Sequence, residues 1–187
     1  MRFVEEPIGD LKAYGTVPIA FLVRSRLRCE PIAQGWGGIR LIEESVQQPY
    51  VKDYDQEENP TEWLKLGDLS NWGVIAVYDG LQRVGGAVLA WNTPGIRMLD
   101  GQSDRAVLWD IRVHPDYRGK GIGRGIFSSA VEWARKRDCR LFKVETQNIN
   151  VPACRLYMNQ GCTLAVINSF AYPEYPDEVQ LIWQMRL

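Results

Sequence analysis

Val107-Leu-Trp-Asp-Ile-Arg-Val113, followed by His114-Pro-Asp-Tyr-Arg118-Gly-Lys-Gly121-Ile-Gly123, joins a strand-like run to a glycine-rich turn. By parity the run places Val107, Trp109, Ile111 and Val113 on one face and Leu108, Asp110 and Arg112 on the other, and the apolar set reads as core. Pro115 forbids continuation as a central strand, and Gly121 and Gly123 let the chain turn sharply into a helix reaching residue 138. On that helix Ile122, Ile126, Ala130, Trp133 and Ala134 recur at three- and four-residue spacing, the mark of one buried face. A glycine-rich turn that opens a helix gathers backbone N–H groups and the positive end of the helix dipole onto one anionic group. The stretch is expected to be a phosphate cradle.

Working outward, Arg140-Leu-Phe-Lys-Val-Glu-Thr146 is the next strand, parallel to the first because a helix connects them. A second helix follows over residues 151–160, with Asn150 as N-cap, Pro152 in its first turn and Gly161 as its stop. Upstream, Trp72-Gly-Val-Ile-Ala-Val-Tyr78 and Arg83-Val-Gly-Gly-Ala-Val-Leu-Ala-Trp91 flank an Asp79-Gly80 turn and form an antiparallel hairpin. Residues 21–28 alternate apolar and polar as a half-buried strand does, and 163–171 and 179–186 are two closing β-rich runs joined by Tyr172-Pro-Glu-Tyr-Pro-Asp177. Residues 36–71 read as a loop-rich, solvated connection. It holds Glu43, Glu44, Asp53, Asp55, Glu57 and Glu58 among Tyr50, Tyr54 and Trp63, with a short helix opening at Asn59-Pro-Thr-Glu62.

The 187 residues suffice for one well-buried core and show no composition break, so residues 1–187 are expected to form a single domain. A formal net charge of −1 gives no field for coating nucleic acid or an anionic membrane, and any phosphate binding must be local. No run approaches the ~18 apolar residues of a membrane helix. The N-terminus lacks the apolar centre of a secretory signal, so a cytoplasmic location is expected. Cys29, Cys139, Cys154 and Cys162 form no CxxC pair and His114 is the single histidine, so neither a metal centre nor a disulfide framework is expected.

Two nucleotide loops fail against the turn. The string Gly-x-x-x-x-Gly-Lys-Ser/Thr is absent, and Gly119, Gly121, Gly123 and Gly125 leave Arg124 or Ile126 where a dinucleotide fingerprint needs its third glycine. What stands is Arg118-x-x-Gly121-x-Gly123, then Asn150-x-x-Ala153-x-x-x-Tyr157 downstream. In these residues the chain resembles the GNAT acetyltransferase family. The resemblance is specific over about residues 106–161, and the order of elements around it also matches. It implies an α/β (α+β) GNAT fold: a mixed central sheet of about seven strands, a splayed central parallel pair and flanking helices.

The resemblance further implies acetyl-coenzyme A as co-substrate. Backbone N–H groups across Arg118, Gly119, Lys120, Gly121, Ile122, Gly123 and Arg124 would hold its pyrophosphate. Along Ile111, Arg112 and Val113, the backbone groups of Ile111 and Val113 would pair with the pantetheine arm, and Asn150, with Ala153 in its motif, would bind the arm or the acetyl end. Tyr157 stands in the place of the general acid that protonates the departing thiolate, with a packed helix aromatic as the alternative. Glu145, at the family's spacing of twelve residues before Tyr157, is the first candidate for the base, directly or through water. Asp110 is the second, or else a loop anchor. His114, the other conceivable base, is expected instead to cap its loop or to lie exposed to solvent, and Cys154 to be packing.

Val144-Glu-Thr-Gln-Asn-Ile-Asn-Val-Pro-Ala-Cys154 and Asp177-Glu-Val-Gln-Leu-Ile-Trp183 resemble streptothricin acetyltransferases, which acetylate an amine on a cationic antibiotic. The acidic, aromatic segment around Glu43 to Trp63 suits a cationic amine. A small-molecule amine is therefore the first expectation for the acceptor and a protein N-terminus or lysine the second. A non-catalytic acyl-coenzyme A sensor is the alternative from another class, and a homodimer is left open.

Overall fold

The computed structural model describes residues 1–187. Seven strands form a mixed sheet in the order β1-β4-β5-β6-β7-β9-β8, where β1 is Arg2–Glu6, β4 Gly73–Asp79, β5 Gln82–Trp91, β6 Arg105–Val113, β7 Leu141–Gln147, β8 Thr163–Asn168 and β9 Gln180–Arg186. A separate antiparallel pair joins β2, Phe21–Pro31, to β3, Ile39–Lys52. Three α-helices, α1 (Leu11–Tyr14), α2 (Ile122–Arg135) and α3 (Val151–Asn159), complete the framework. None is long and apolar enough to cross a membrane. The chain folds as two compact units.

The first unit comprises Met1–Ala20, Asp53–Val144 and Gln184–Leu187. Strands β1, β4, β5 and β6 pair antiparallel in succession, and β6 then pairs in parallel with β7 from Arg105↔Leu141 to Leu108↔Val144. The parallel ladder ends there, whereas the β5 ladder follows β6 to Gly85↔Val113. Helix α2 makes the βαβ crossover and buries Ile122, Ile126, Ala130, Trp133 and Ala134, the face its spacing required, together with Phe127 and Val131. Phe127 meets Phe142 of β7 edge-on at 5.5 Å between ring centroids. Another part of the core gathers Leu11 and Tyr14 of α1, Trp63, Trp72, Val88 and Val107, with Trp109 packed against it.

The parity reading of β6 fails beyond Leu108. Val88 pairs with Asp110 but Leu89 with Leu108, so Trp109 is an extra residue, and a bulge of this kind turns the side chains after it to the opposite face. Asp110 then points to the side of Tyr14 and Val107, and Arg112, expected on a polar face, is only 2% exposed.

The second unit comprises Phe21–Lys52 and Glu145–Trp183. Here the reading of residues 36–71 as a solvated connection is corrected, because β3 is a 14-residue strand. Period-two alternation is weak in it because nearly all of it is exposed or half-exposed on both faces. The hairpin is held by its ladder and by charges set opposite one another. Arg26 pairs with Glu44 at 3.0 Å, Arg28 reaches the same carboxylate at 3.1 Å, and Arg40 meets Glu30 at 2.8 Å. Pro49, which has no N–H to give a ladder, falls in the irregularity between Ser45 and Tyr50. The acidic residues Glu43 and Glu44 are thus partners of β2. The short helix expected at Asn59 forms in the first unit as a 3₁₀ turn over Pro60–Leu66, with a capping box between Asn59 and Glu62.

Candidate active site

In the first unit, β6 ends in a loop built in three steps. Pro115–Tyr117 makes a 3₁₀ turn, capped as expected by His114, whose Nδ1 accepts the Asp116 N–H at 3.3 Å. Arg118 folds its guanidinium back onto backbone: Nε donates to the Val113 carbonyl at 2.9 Å, and the terminal nitrogens donate to Ala20 at 2.9 Å, Pro18 at 3.3 Å and Ile19 at 3.4 Å. Its side chain is therefore a strut that ties the turn to residues 18–20. Gly119 at φ 75° and Gly121 at φ 81° then take left-handed conformations that an L side chain rarely adopts.

Gly121 is the N-cap of α2 and has no side chain to cap it, and the first turn carries no acidic residue. The N–H groups opening the helix lack intrahelical acceptors by construction, so this end presents donors and positive potential together. Lys120 lies beside them with its ammonium 5.1 Å from the Tyr117 ring centroid, while the Tyr117 hydroxyl donates to Asp79 at 3.1 Å. The residues fit an anionic diphosphate: helix-opening donors with no carboxylate in the first turn of α2, on backbone that two glycines allow to bend.

On β6 of the same unit, Asp110 and Arg112 belong to a buried network. Arg112 uses all five of its N–H groups. It grips Asp110 through Nε at 3.0 Å and a terminal nitrogen at 2.9 Å, grips Asp55 at 3.0 and 3.1 Å, and donates to the Val17 carbonyl at 3.1 Å. The Tyr14 hydroxyl donates to Asp110 in a short contact, and the Tyr14 ring lies 4.8 Å from the Arg112 guanidinium. Burial alone would push the Arg112 guanidinium down, but Asp110, Tyr14 and Asp55 outweigh it and raise it further. Burial, then the Asp110 charge, raises Tyr14 well above the phenol range. This arrangement makes Asp110 an anchor for α1 and Arg112 an internal tie.

In the second unit, Glu145 lies on the half-exposed side of β7, between buried Val144 and Thr146, and its carboxylate accepts the Tyr172 hydroxyl at 2.7 Å. Asn150 caps α3, its Oδ1 accepting the Ala153 N–H at 3.2 Å, so the Ala153 N–H is committed within the helix. The Nδ2 donors of a carboxamide are separate from that acceptor. Tyr157 lies on the buried side of α3, 3% exposed. Cys154 is buried too, and burial pushes its thiol up to about 12, which suits packing and not nucleophilic chemistry.

Four further residues bear on these sites. Tyr14 and Asp55 complete the network of Arg112. Tyr172 holds Glu145, and Asn148 bridges the Leu27 carbonyl at 3.0 Å and the Val179 N–H at 2.8 Å. The aromatic, proline-rich connection containing Tyr172 was itself a signal; Tyr14 lies 96 residues from Asp110 and carried none.

Residues 39–162 match the model of the Acetyltransferase (GNAT) family. The chain is 32% identical over 151 residues to streptothricin acetyltransferase of Escherichia coli, covering 78% of this chain and 75% of that protein. Over 144 residues it is 26% identical to streptothricin acetyltransferase A of Bacillus subtilis (strain 168), covering 75% and 76%. A Bacillus anthracis str. Ames protein assigned as a streptothricin acetyltransferase, solved in complex with acetyl coenzyme A, has a similar structure. The TM-score is 0.76 at 25% identity, covering 100% of this chain and 99% of that one.

Proposed function

The chain belongs to the GNAT acetyltransferase family, and from that premise we propose that it transfers the acetyl group of acetyl-coenzyme A to a primary amine of a small cationic acceptor of the streptothricin kind, with residues 1–187 working as one acetyltransferase domain. The observation that carries the donor half is the opening of α2: two left-handed glycines and a helix start with neither a capping side chain nor an acidic residue. Backbone N–H groups of the stretch Arg118–Arg124 bind the diphosphate there, with Arg118, whose own N–H donates to the Pro115 carbonyl at 3.2 Å, holding the turn in shape. Beyond Leu108 the β6 edge facing β7 is outside the parallel ladder, so the Ile111 and Val113 backbone can pair with the pantetheine arm. In the second unit, Asn150 is assigned to coenzyme binding through its Nδ2 amide, its Oδ1 being taken by the Ala153 N–H.

Glu145 takes the proton that the ammonium form of the acceptor must lose before its nitrogen attacks the thioester, directly or through one water. Tyr157 gives its proton to the departing thiolate. Asp110 is assigned to positioning, since its carboxylate is occupied by Tyr14 and Arg112. The streptothricin-like acceptor is favoured over a peptide N-terminus because the two streptothricin acetyltransferases align with three quarters or more of the chain.

Thiol release from acetyl-coenzyme A across a panel of streptothricin, simple diamines and peptides with free N-termini tests the reading. Fastest release with streptothricin is expected. Release with peptides alone would reassign the acceptor, and coenzyme A binding with no release for any amine would make the protein a sensor.

A further inference from the structure

We propose that Tyr172 is a positioning residue for the base, its hydroxyl fixing the Glu145 carboxylate in the orientation that deprotonates the acceptor amine. The proposal rests on the reading of Glu145 as base. Glu145 sits on the half-exposed side of β7, where a side chain with three rotatable torsions has many staggered arrangements open to it. The hydrogen bond from Tyr172 at 2.7 Å selects one of them. It takes Oε1, and a carboxylate keeps acceptor sites on its second oxygen for the incoming proton.

Orientation is imposed on Glu145 by Tyr172, and not the reverse, because the connection bearing Tyr172 is fixed elsewhere. In Tyr172-Pro-Glu-Tyr-Pro-Asp177 two prolines preset their backbone torsions. The Tyr175 N–H donates to the Tyr172 carbonyl at 3.0 Å, and the Glu178 N–H to the Tyr175 carbonyl at 2.9 Å. At the far end the Lys52 ammonium lies 3.7 Å from the Tyr175 ring centroid and pairs with Glu178 at 2.9 Å, both side chains only 8% exposed. Removing either charge would strand the other in the interior, so this anchor holds. A Tyr ring, with two torsions, carries that fixity to its hydroxyl. In the step the amine N–H bond breaks and the proton passes to the Glu145 carboxylate, directly or through water, while Tyr172 keeps its own proton.

A double-mutant cycle in the full-length chain tests this, with acetyl-coenzyme A and streptothricin as substrates and circular dichroism to verify folding. Tyr172→Phe is expected to lower kcat roughly tenfold, about what one hydrogen bond to a charged group contributes, at unchanged KM for acetyl-coenzyme A. In the Glu145→Gln background the same substitution should cost nothing further. Full kcat in Tyr172→Phe, or a loss that multiplies with that of Glu145→Gln, overturns the proposal and leaves the base assignment standing. Full kcat in Glu145→Gln, or no turnover by the unsubstituted protein, takes down the base assignment and the proposal with it.

Discussion

At the scale of single residues, Arg112 and Glu145 stand in opposite surroundings. Arg112 is enclosed and saturated, and its loss would leave the buried Asp110 carboxylate without its cation and Asp55 without its partner. Arg112→Leu is expected to destabilise the fold by about 3–5 kcal/mol, read from denaturant unfolding. Tyr14 gives the same network a pH signature. Below about pH 10 folded and unfolded chains both keep the phenol proton, but above it the unfolded chain releases the proton while the folded chain, its Tyr14 raised by burial and Asp110, holds it. Stability from this group is therefore present up to about pH 10 and lost as pH rises beyond it, and Tyr14→Phe should weaken that alkaline loss in unfolding midpoints. Glu145, by contrast, is half-exposed and accepts the Tyr172 hydroxyl, and the proposed role as base draws on it. Glu145→Gln should cut kcat roughly 100-fold while leaving acetyl-coenzyme A affinity nearly unchanged.

At the scale of elements, the turn between β6 and α2 joins sequence to chemistry. Gly121→Val would place a branched side chain at φ 81°, so it is expected to weaken coenzyme A binding by at least roughly tenfold in calorimetry, a loss of about 1.4 kcal/mol. Arg118→Ala removes the strut to residues 18–20 without touching the glycines, and should weaken binding while leaving the α2 helix intact by circular dichroism. This βαβ region was legible in the sequence because each boundary is marked locally: Pro115, Gly121, Asn150 and Gly161 punctuate runs whose periods differ. Strand β3 was not, since nearly all of it lies open or half-open on both faces and its charges find their partners only across the hairpin on β2. The bulge at Trp109 was invisible for a related reason. One extra residue changes no composition, yet it reverses which side chains of β6 meet the core.

At the scale of the whole molecule, the family follows from that well-marked region, while other parts of the fold are tied by partners that lie far apart in sequence. Tyr14 finds Asp110 across 96 residues, Arg112 finds Asp55 across 57, and Lys52 finds Glu178 across 126. Such pairings leave no periodic trace, so the glycine turn that opens α2 could be read from the chain and these pairings could not. The central claim is acetyl transfer to a streptothricin-type amine. Mass spectrometry of streptothricin incubated with acetyl-coenzyme A and the purified protein, with released thiol counted in parallel, tests it most directly. The account requires singly acetylated streptothricin in one-to-one proportion with thiol; thiol released without acetylated streptothricin, or neither product while coenzyme A still binds, would contradict it.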